Sequence, residues 1–174
     1  MSTDALSNSP SQPSSSDKRP AVAPRTHIQV QQHSFNVGAE FDRLNDGSGS
    51  VGAVVFFTGL VRDLVDDPLK EMVLEHYPGM TERCLADIVD QARQRWPLNH
   101  VSIIHRVGSL KPCDLIVYVG VSSAHRTDAF AACEFIMDYL KKDAPFWKKE
   151  RSQTQDHWVE QKESDLDAAE RWSK

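Results

Sequence analysis

DLIVYVGVSSAHR, residues 114–126, decides how the rest of the chain is read. Residues 114–123 are rich in β-branched and aromatic side chains and read as a strand. The strand passes directly into a helix expected from about Arg126 to Lys142, because Ala129, Cys133, Ile136 and Leu140 recur three and four apart and form one apolar stripe. Pro145 disfavours helical geometry at Ala144 and places the helix end near Lys141-Lys142.

Working outward, HVSIIHRVG (100–108) is another strand, joined to the first by SLKPC, a hairpin-length loop containing Pro112. Upstream, Thr81 is expected to cap a helix with apolar positions Leu85, Ile88, Val89, Ala92 and Trp96, and Pro97 lies just past its end. KEMVLEHY (70–77) alternates, with Met72, Leu74 and His76 facing one way, as a half-buried strand does, and Pro78-Gly79 turns the chain. GAVVFFTG (52–59) is a continuous apolar run and predicts a strand buried on both faces. HIQVQQHSF (27–35) opens the domain as a strand, GAEFDRLND (38–46) follows as a short helix and GSGS (47–50) as a turn. DHWVEQ (156–161) and a Ser164-capped helix, SDLDAAERW, close the chain. A β-β-α-β-β-α core with additions implies an α+β fold, a sheet with a helical layer.

At 174 residues the chain has the length of one domain, residues 27–174, preceded by a Ser/Pro-rich stretch, residues 1–26, that carries no aromatic residue and is expected to be a disordered tail. That stretch lacks the apolar centre of a secretion signal, and no run reaches the roughly 18 apolar residues of a membrane span, so a soluble, cytoplasmic protein is expected. The formal net charge of -5 argues against a general nucleic-acid binder. Cys84, Cys113 and Cys133 are too scattered for a CxxC motif; Cys84 and Cys133 fall in apolar stripes and read as small core residues. The histidines show no metal-ligand spacing, and Walker A, GxGxxG and GxSxG patterns are absent, so no metal or cofactor is expected.

Three places can carry chemistry. At SSAHR (122–126) a strand end feeds a helix start, leaving His125 and Arg126 where free N–H groups and the helix dipole favour an anion; the bland alternative is a Ser123 cap beside a surface histidine. At FFTGLVRD (56–63) Arg62 follows a strand end. At DYLKKDAPFWKKE (138–150) two lysine doublets flank an apolar corner, where Phe146 and Trp147 would anchor a turn that points Lys141 and Lys148 into one pocket and leaves Lys142 and Lys149 in solvent; the alternative is a solvated charged end with no function. A strand end, a helix start and a turn after a helix can converge on one concave site.

HYPGM (76–80), FTGLVR (57–62), HRVG (105–108), SSAHR (122–126), FIMDYLK (135–141) and APFWKKE (144–150) closely resemble, in order, the large catalytic subunit of molybdopterin synthase. The resemblance runs from about residue 28 to Trp172. It implies an α/β hammerhead fold with a small additional β subdomain, and a homodimer at the centre of a heterotetramer. It also implies a small ubiquitin-like partner subunit that carries sulfur as a C-terminal thiocarboxylate, and conversion of cyclic pyranopterin monophosphate into the dithiolene of molybdopterin. By motif, Lys141 and Lys148 become the catalytic lysines, and Arg62, His125 and Arg126 the residues that bind the anionic substrate.

The loop after Arg62, DLVDDPLKE, departs from the polar, flexible loop the resemblance implies: it has Leu64 and Val65 and no glycine. Two other readings of the residues stay open at this level: a non-catalytic anion-binding module of the same fold, and a nucleic-acid binder using the basic corner.

Overall fold

A computed structural model describes residues 23–45, 47, 49–159 and 163–173; the expected tail up to residue 22, Asp46, Ser48, residues 160–162 and Lys174 lie outside the described residues. The order along the chain is β1 (Arg25–Gln31), α1 (Val37–Leu44), β2 (Ala53–Leu60), β3 (Leu69–His76), α2 (Met80–Arg95), β4 (Leu98–Arg106), β5 (Gly108–Leu110), β6 (Leu115–Ser123), α3 (Arg126–Asp143), β7 (Phe146–Ser152), β8 (Asp156–Val159) and α4 (Glu163–Glu170).

Two four-stranded sheets form, β1-β4-β6-β2 and β5-β3-β7-β8. In the first, β1 runs parallel to β4, and β6 pairs antiparallel with both β4 and β2. Alternation along β6 divides the domain. Val117, Val119 and Val121 face α2 and α3 in the main core, with Leu85, Ile88, Val89, Phe135, Ile136 and Leu140. Tyr118 faces the other way, onto Leu44 of α1 and Ile104 of β4. Beneath α1, Ser102 Oγ donates to Glu40 Oε2 at 2.7 Å, which satisfies a nearly buried carboxylate. The second sheet encloses its own cluster of Val61, Leu69, Met72, Leu74 and Leu110. The α+β class and the hammerhead-type layer with a small β subdomain are therefore as expected.

Several local expectations change. β2 is not buried on both faces: it is an edge strand paired only with β6, and Phe56, Phe57 and Leu60 remain 44%, 42% and 54% exposed. An apolar run shows that a strand wants cover, and among the described residues α3 and Tyr118 cover it only in part. The corner 144–150 is no turn but the start of β7, with Leu74 opposite Lys148 and Val73 opposite Lys149. The loop between β4 and β6 contains β5, which leaves the first sheet to pair with β3. The opening strand begins at Arg25, two residues inside the expected tail.

Thr81 does not cap α2. Gly79 does, at φ +80, with its N–H donating to Glu82 Oε2 at 2.6 Å. The buried Thr81 hydroxyl instead bonds back to Tyr77 O at 3.0 Å, closing the Pro78-Gly79 turn. Ser164 lies inside α4, which starts at Glu163. The glycine-free loop after Arg62 is tied down: Asp63 Oδ1 accepts from Leu64 and Leu69 N–H groups, each at 2.8 Å, and Asp67 accepts from Ser152, Gln153 and Thr154 at the β7–β8 turn.

The close approach of α1 to β6 requires Gly120. A Cβ there would lie 2.5 Å from Leu44 Cδ1 and 2.7 Å from Tyr118 Cε1. Gly120→Ala is expected to lower stability by ~1–3 kcal/mol, the cost of overpacking a filled core, read as a fall in the urea midpoint. An unchanged midpoint would show that α1 does not press on the strand.

A candidate active site around Lys141 and Lys148

Lys141 sits in the last turn of α3, and Lys148 sits on β7 after the chain has reversed at Ala144-Pro145. Period-two alternation on β7 separates the second lysine doublet. Lys148 and Glu150 share one face and pair at 3.1 Å, Nζ to Oε1. Lys149 faces the opposite side and pairs with Asp156 of β8 at 3.3 Å. Lys141 Nζ lies 3.4 Å from Asp165 Oδ1 of α4.

Two clefts meet at these lysines. The larger, about 740 Å³, is walled by Lys142, Pro145, Phe146, Trp147 and Trp158. The smaller, about 370 Å³, is walled by Phe57, Leu60, Arg62, Met72 and Met137. His105, Leu140, Lys141 and Lys148 line both and form the saddle between them. Arg62 reaches the smaller cleft because β2 ends against the β5–β6 loop, where Val61 N–H donates to Asp114 O at 2.9 Å and Val61 O accepts from Cys113 N–H at 2.8 Å.

Of the five expected site residues, the fold therefore gathers Arg62, Lys141 and Lys148. His125 and Arg126 are elsewhere. They stand exposed at the start of α3, and the fifteen-residue rise to Lys141 is roughly 22 Å. Ser123 is not the helix cap: its hydroxyl accepts from His125 N–H at 3.4 Å and donates to Pro97 O at 2.8 Å, and His125 occupies the cap position without a side-chain bond. Nor is Lys142 simply solvated, since it lies 5.6 Å from the Tyr139 ring centroid and lines the larger cleft.

Sequence reasoning missed three members of the site. Glu150 ends the APFWKKE motif, and its carboxylate could have been noticed as the one acid there. Asp165 gave no signal. His105 stood in HRVG but was assigned nothing. It is 5% exposed, and its ring stacks on Phe146 at 3.7 Å between centroids and 15° between planes. Its Nδ1 lies 2.8 Å from Arg106 O, and because a carbonyl only accepts, Nδ1 carries the hydrogen and Nε2 keeps a lone pair. Burial, with a smaller contribution from His76, lowers its pKa from 6.5 to about 4.

Cys133 lines a groove beside Phe57 and Phe130, but burial pushes its thiol up to about 12 and leaves it unreactive near neutrality. Among the described residues no cluster of His, Cys, Asp or Glu could hold a metal ion, and no helix is long and apolar enough to cross a membrane.

The low pKa of His105 has a stability consequence. The folded state resists protonation down to about pH 4, whereas the unfolded chain takes up that proton near pH 6.5, so stability falls as pH drops through this window. The gap corresponds to ~3 kcal/mol. His105→Leu should lose correspondingly less stability than wild type between neutral and acid pH in urea unfolding; equal losses would refute the buried neutral imidazole.

Comparison with known proteins shows the family. The family described as "MoaE protein" matches residues 30–143. The molybdopterin synthase catalytic subunit of Escherichia coli (strain K12) is 55% identical over 148 residues, 84% of this chain and 98% of that one. Among solved structures, the molybdopterin biosynthesis MoaE protein of Burkholderia ambifaria superposes with a TM-score of 0.74 at 46% identity, covering 86% of this chain and 99% of that one. Molybdopterin synthase of Staphylococcus aureus superposes with a TM-score of 0.70 at 32% identity, covering 75% and 95%. By the family match over residues 30–143 and 55% identity across 84% of its length, the chain belongs to the MoaE family of molybdopterin synthase catalytic subunits.

Proposed function

We propose that this chain transfers sulfur from the C-terminal thiocarboxylate of a small ubiquitin-like partner subunit to cyclic pyranopterin monophosphate, in the cytoplasm, forming the molybdopterin dithiolene. The observation that carries the reading is the saddle itself. Lys141 and Lys148 stand where two clefts meet, one walled by Phe146, Trp147 and Trp158, the other by Phe57, Met72 and Arg62, so two anionic reactants can reach the same pair of ammonium groups from different sides. Both reactants are anions, and Arg62, Lys141 and Lys148 supply the compensating charge. Lys141 holds the thiocarboxylate and the sulfur that leaves it; Lys148, braced by Glu150, and Arg62 hold the substrate.

A nucleic-acid surface is disfavoured by the pairing of the basic corner. The carboxylates Asp165, Glu150, Asp156 and Glu71 are interleaved with Lys141, Lys148, Lys149 and Arg151 in a chain of formal net charge -5, so the few cations can serve a small anion in a cleft but present no extended positive face to a phosphate backbone.

His125 and Arg126 belong to the same reading through a second copy of the chain. Phe130 lies one turn beyond Arg126 on α3 and is 62% exposed, beside the uncovered Phe56 and Phe57 of β2. A two-fold axis through this apolar face sets two α3 helices antiparallel, and the start of one helix then approaches the end of the other. Arg126 of one copy thereby supplies a bidentate anion contact to the Lys141 site of its neighbour.

Two outcomes are expected with thiocarboxylated partner and cyclic pyranopterin monophosphate. Lys141→Arg keeps the charge but not the proton chemistry or the slim ammonium, and should bind both reactants while losing most single-turnover dithiolene. Arg126→Ala and Lys141→Ala should each be nearly inactive alone, yet co-assembled in equal amounts recover about a quarter of wild-type activity, since half the dimers are mixed and each mixed dimer rebuilds one intact site. No recovery would place Arg126 outside the shared site.

A further inference from the structure

The sulfur-transfer reading leaves one step without a protein group. Once the thiocarboxylate sulfur has bonded to the pterin side chain, the partner's terminal acyl group is still attached to that sulfur as a thioester, and water must release it. We propose that His105 takes the proton from this water. The inference rests on the function proposed above and assigns a further residue to it.

Placement is the first argument. Four residues line both clefts, and of these Leu140 is apolar, while Lys141 and Lys148 present ammonium groups to Asp165 and Glu150. Glu150 itself is engaged, with Oε1 on Lys148 and Oε2 3.6 Å from His157 Nε2. Among the described saddle residues, His105 Nε2 is the lone pair with no such counterion.

Its rigidity is the second argument. Stacking on Phe146 and the bond from Nδ1 to Arg106 O fix both the ring plane and the tautomer, so Nε2 is held as the acceptor without reorganisation. The Asp of a serine-protease triad imposes a tautomer in the same sense; here a backbone carbonyl does so.

Electrostatics make the base conditional. Around the imidazole stand Lys141 of α3, Lys148 and Glu150 of β7, His76 of β3, Arg62 beyond β2 and Arg106 of its own strand, with Asp143 and Asp165 at the rim of the larger cleft. In the unloaded site burial keeps the ring neutral. A bound phosphate and a thiocarboxylate add negative charge beside it and raise its proton affinity towards neutrality, so its basicity grows when both reactants are in place.

In the step itself, the water oxygen bonds to the thioester carbonyl carbon and one water proton passes to Nε2. The carbon–sulfur bond then breaks. Sulfur stays on the pterin as a thiolate next to Lys141, and the partner leaves as a carboxylic acid that ionises to carboxylate. His105 returns its proton to solvent before the next transfer.

The test is a single-turnover reaction of the full chain with thiocarboxylated partner and cyclic pyranopterin monophosphate, quenched at intervals and read by intact mass. His105→Gln and His105→Asn are expected to consume thiocarboxylate near the wild-type rate but to release carboxylate about 100-fold more slowly, with the acyl–pterin adduct accumulating. Wild-type release should fall on the acid side between about pH 5 and 8, and the variants should lose that limb. If the variants unfold, the wild-type profile still decides: release with no acid limb overturns the proposal. Folded variants that release within about threefold of wild type, with the same pH profile, overturn it as well. A wild-type chain that consumes no thiocarboxylate at all overturns the sulfur-transfer reading and this step with it, whereas normal wild-type turnover with fast release in the variants overturns the base assignment alone.

Discussion

The antiparallel pairing of β7 with β3, which sets Lys148 opposite Leu74, is the constraint on which the site depends. α3 delivers Lys141 and ends, and without a partner strand the next residues would have no reason to fold back across that end. Because β7 is hydrogen-bonded to β3, its alternation is locked, and Lys148 and Glu150 turn towards α3 while Lys149 and Arg151 turn to Asp156 and Glu71. A register slip by one residue would exchange the two lysines and present the wrong charges to the clefts. Thr81 adds a further tie, since its hydroxyl reaches Pro145 O at 3.4 Å as well as the α2 turn.

α3 acts as a ruler. It holds Arg126 and Lys141 at opposite ends, too far apart to touch one ligand within a single chain. The same helix carries Phe130 on its exposed side, next to an edge strand whose phenylalanines are only half covered. Large exposed aromatic surface on an otherwise well-packed domain marks an interaction face. One helix thus carries both ends of the proposed shared site and the exposed face beside it.

Charge within the site is balanced residue by residue. Lys141, Lys148 and Lys149 each have a carboxylate partner, and these ion pairs are partly exposed, so they orient side chains more than they stabilise the fold. Such pairs can be exchanged for an incoming anion at modest cost. The buried neutral histidine between them is the complementary element, an uncharged lone pair placed beside these ion pairs.

Much of this was legible in the chain. The 129/133/136/140 stripe, the alternation of Met72 and Leu74, and Pro97 and Pro145 placed the helices and strands because these signals are local and periodic. The motifs around Arg62, Lys141 and Lys148 pointed to a candidate site only through the family resemblance, since a lone charged corner reads equally well as a solvated end. Pairing was not legible. That APFWKKE is a strand, that Gly108–Leu110 leaves one sheet for another, and that GAVVFFTG forms an edge all depend on neighbours distant in sequence, and the same apolar run suits a central or an edge strand equally well. His105 looked like any strand residue until Phe146 stacked on it and two lysines closed in. Sequence by itself determined most of the helices and strands and pointed to Arg62, Lys141 and Lys148 as candidates for chemistry. Tertiary structure decided which of them share a cavity, because that depends on long-range strand register and on the length of a rigid helix.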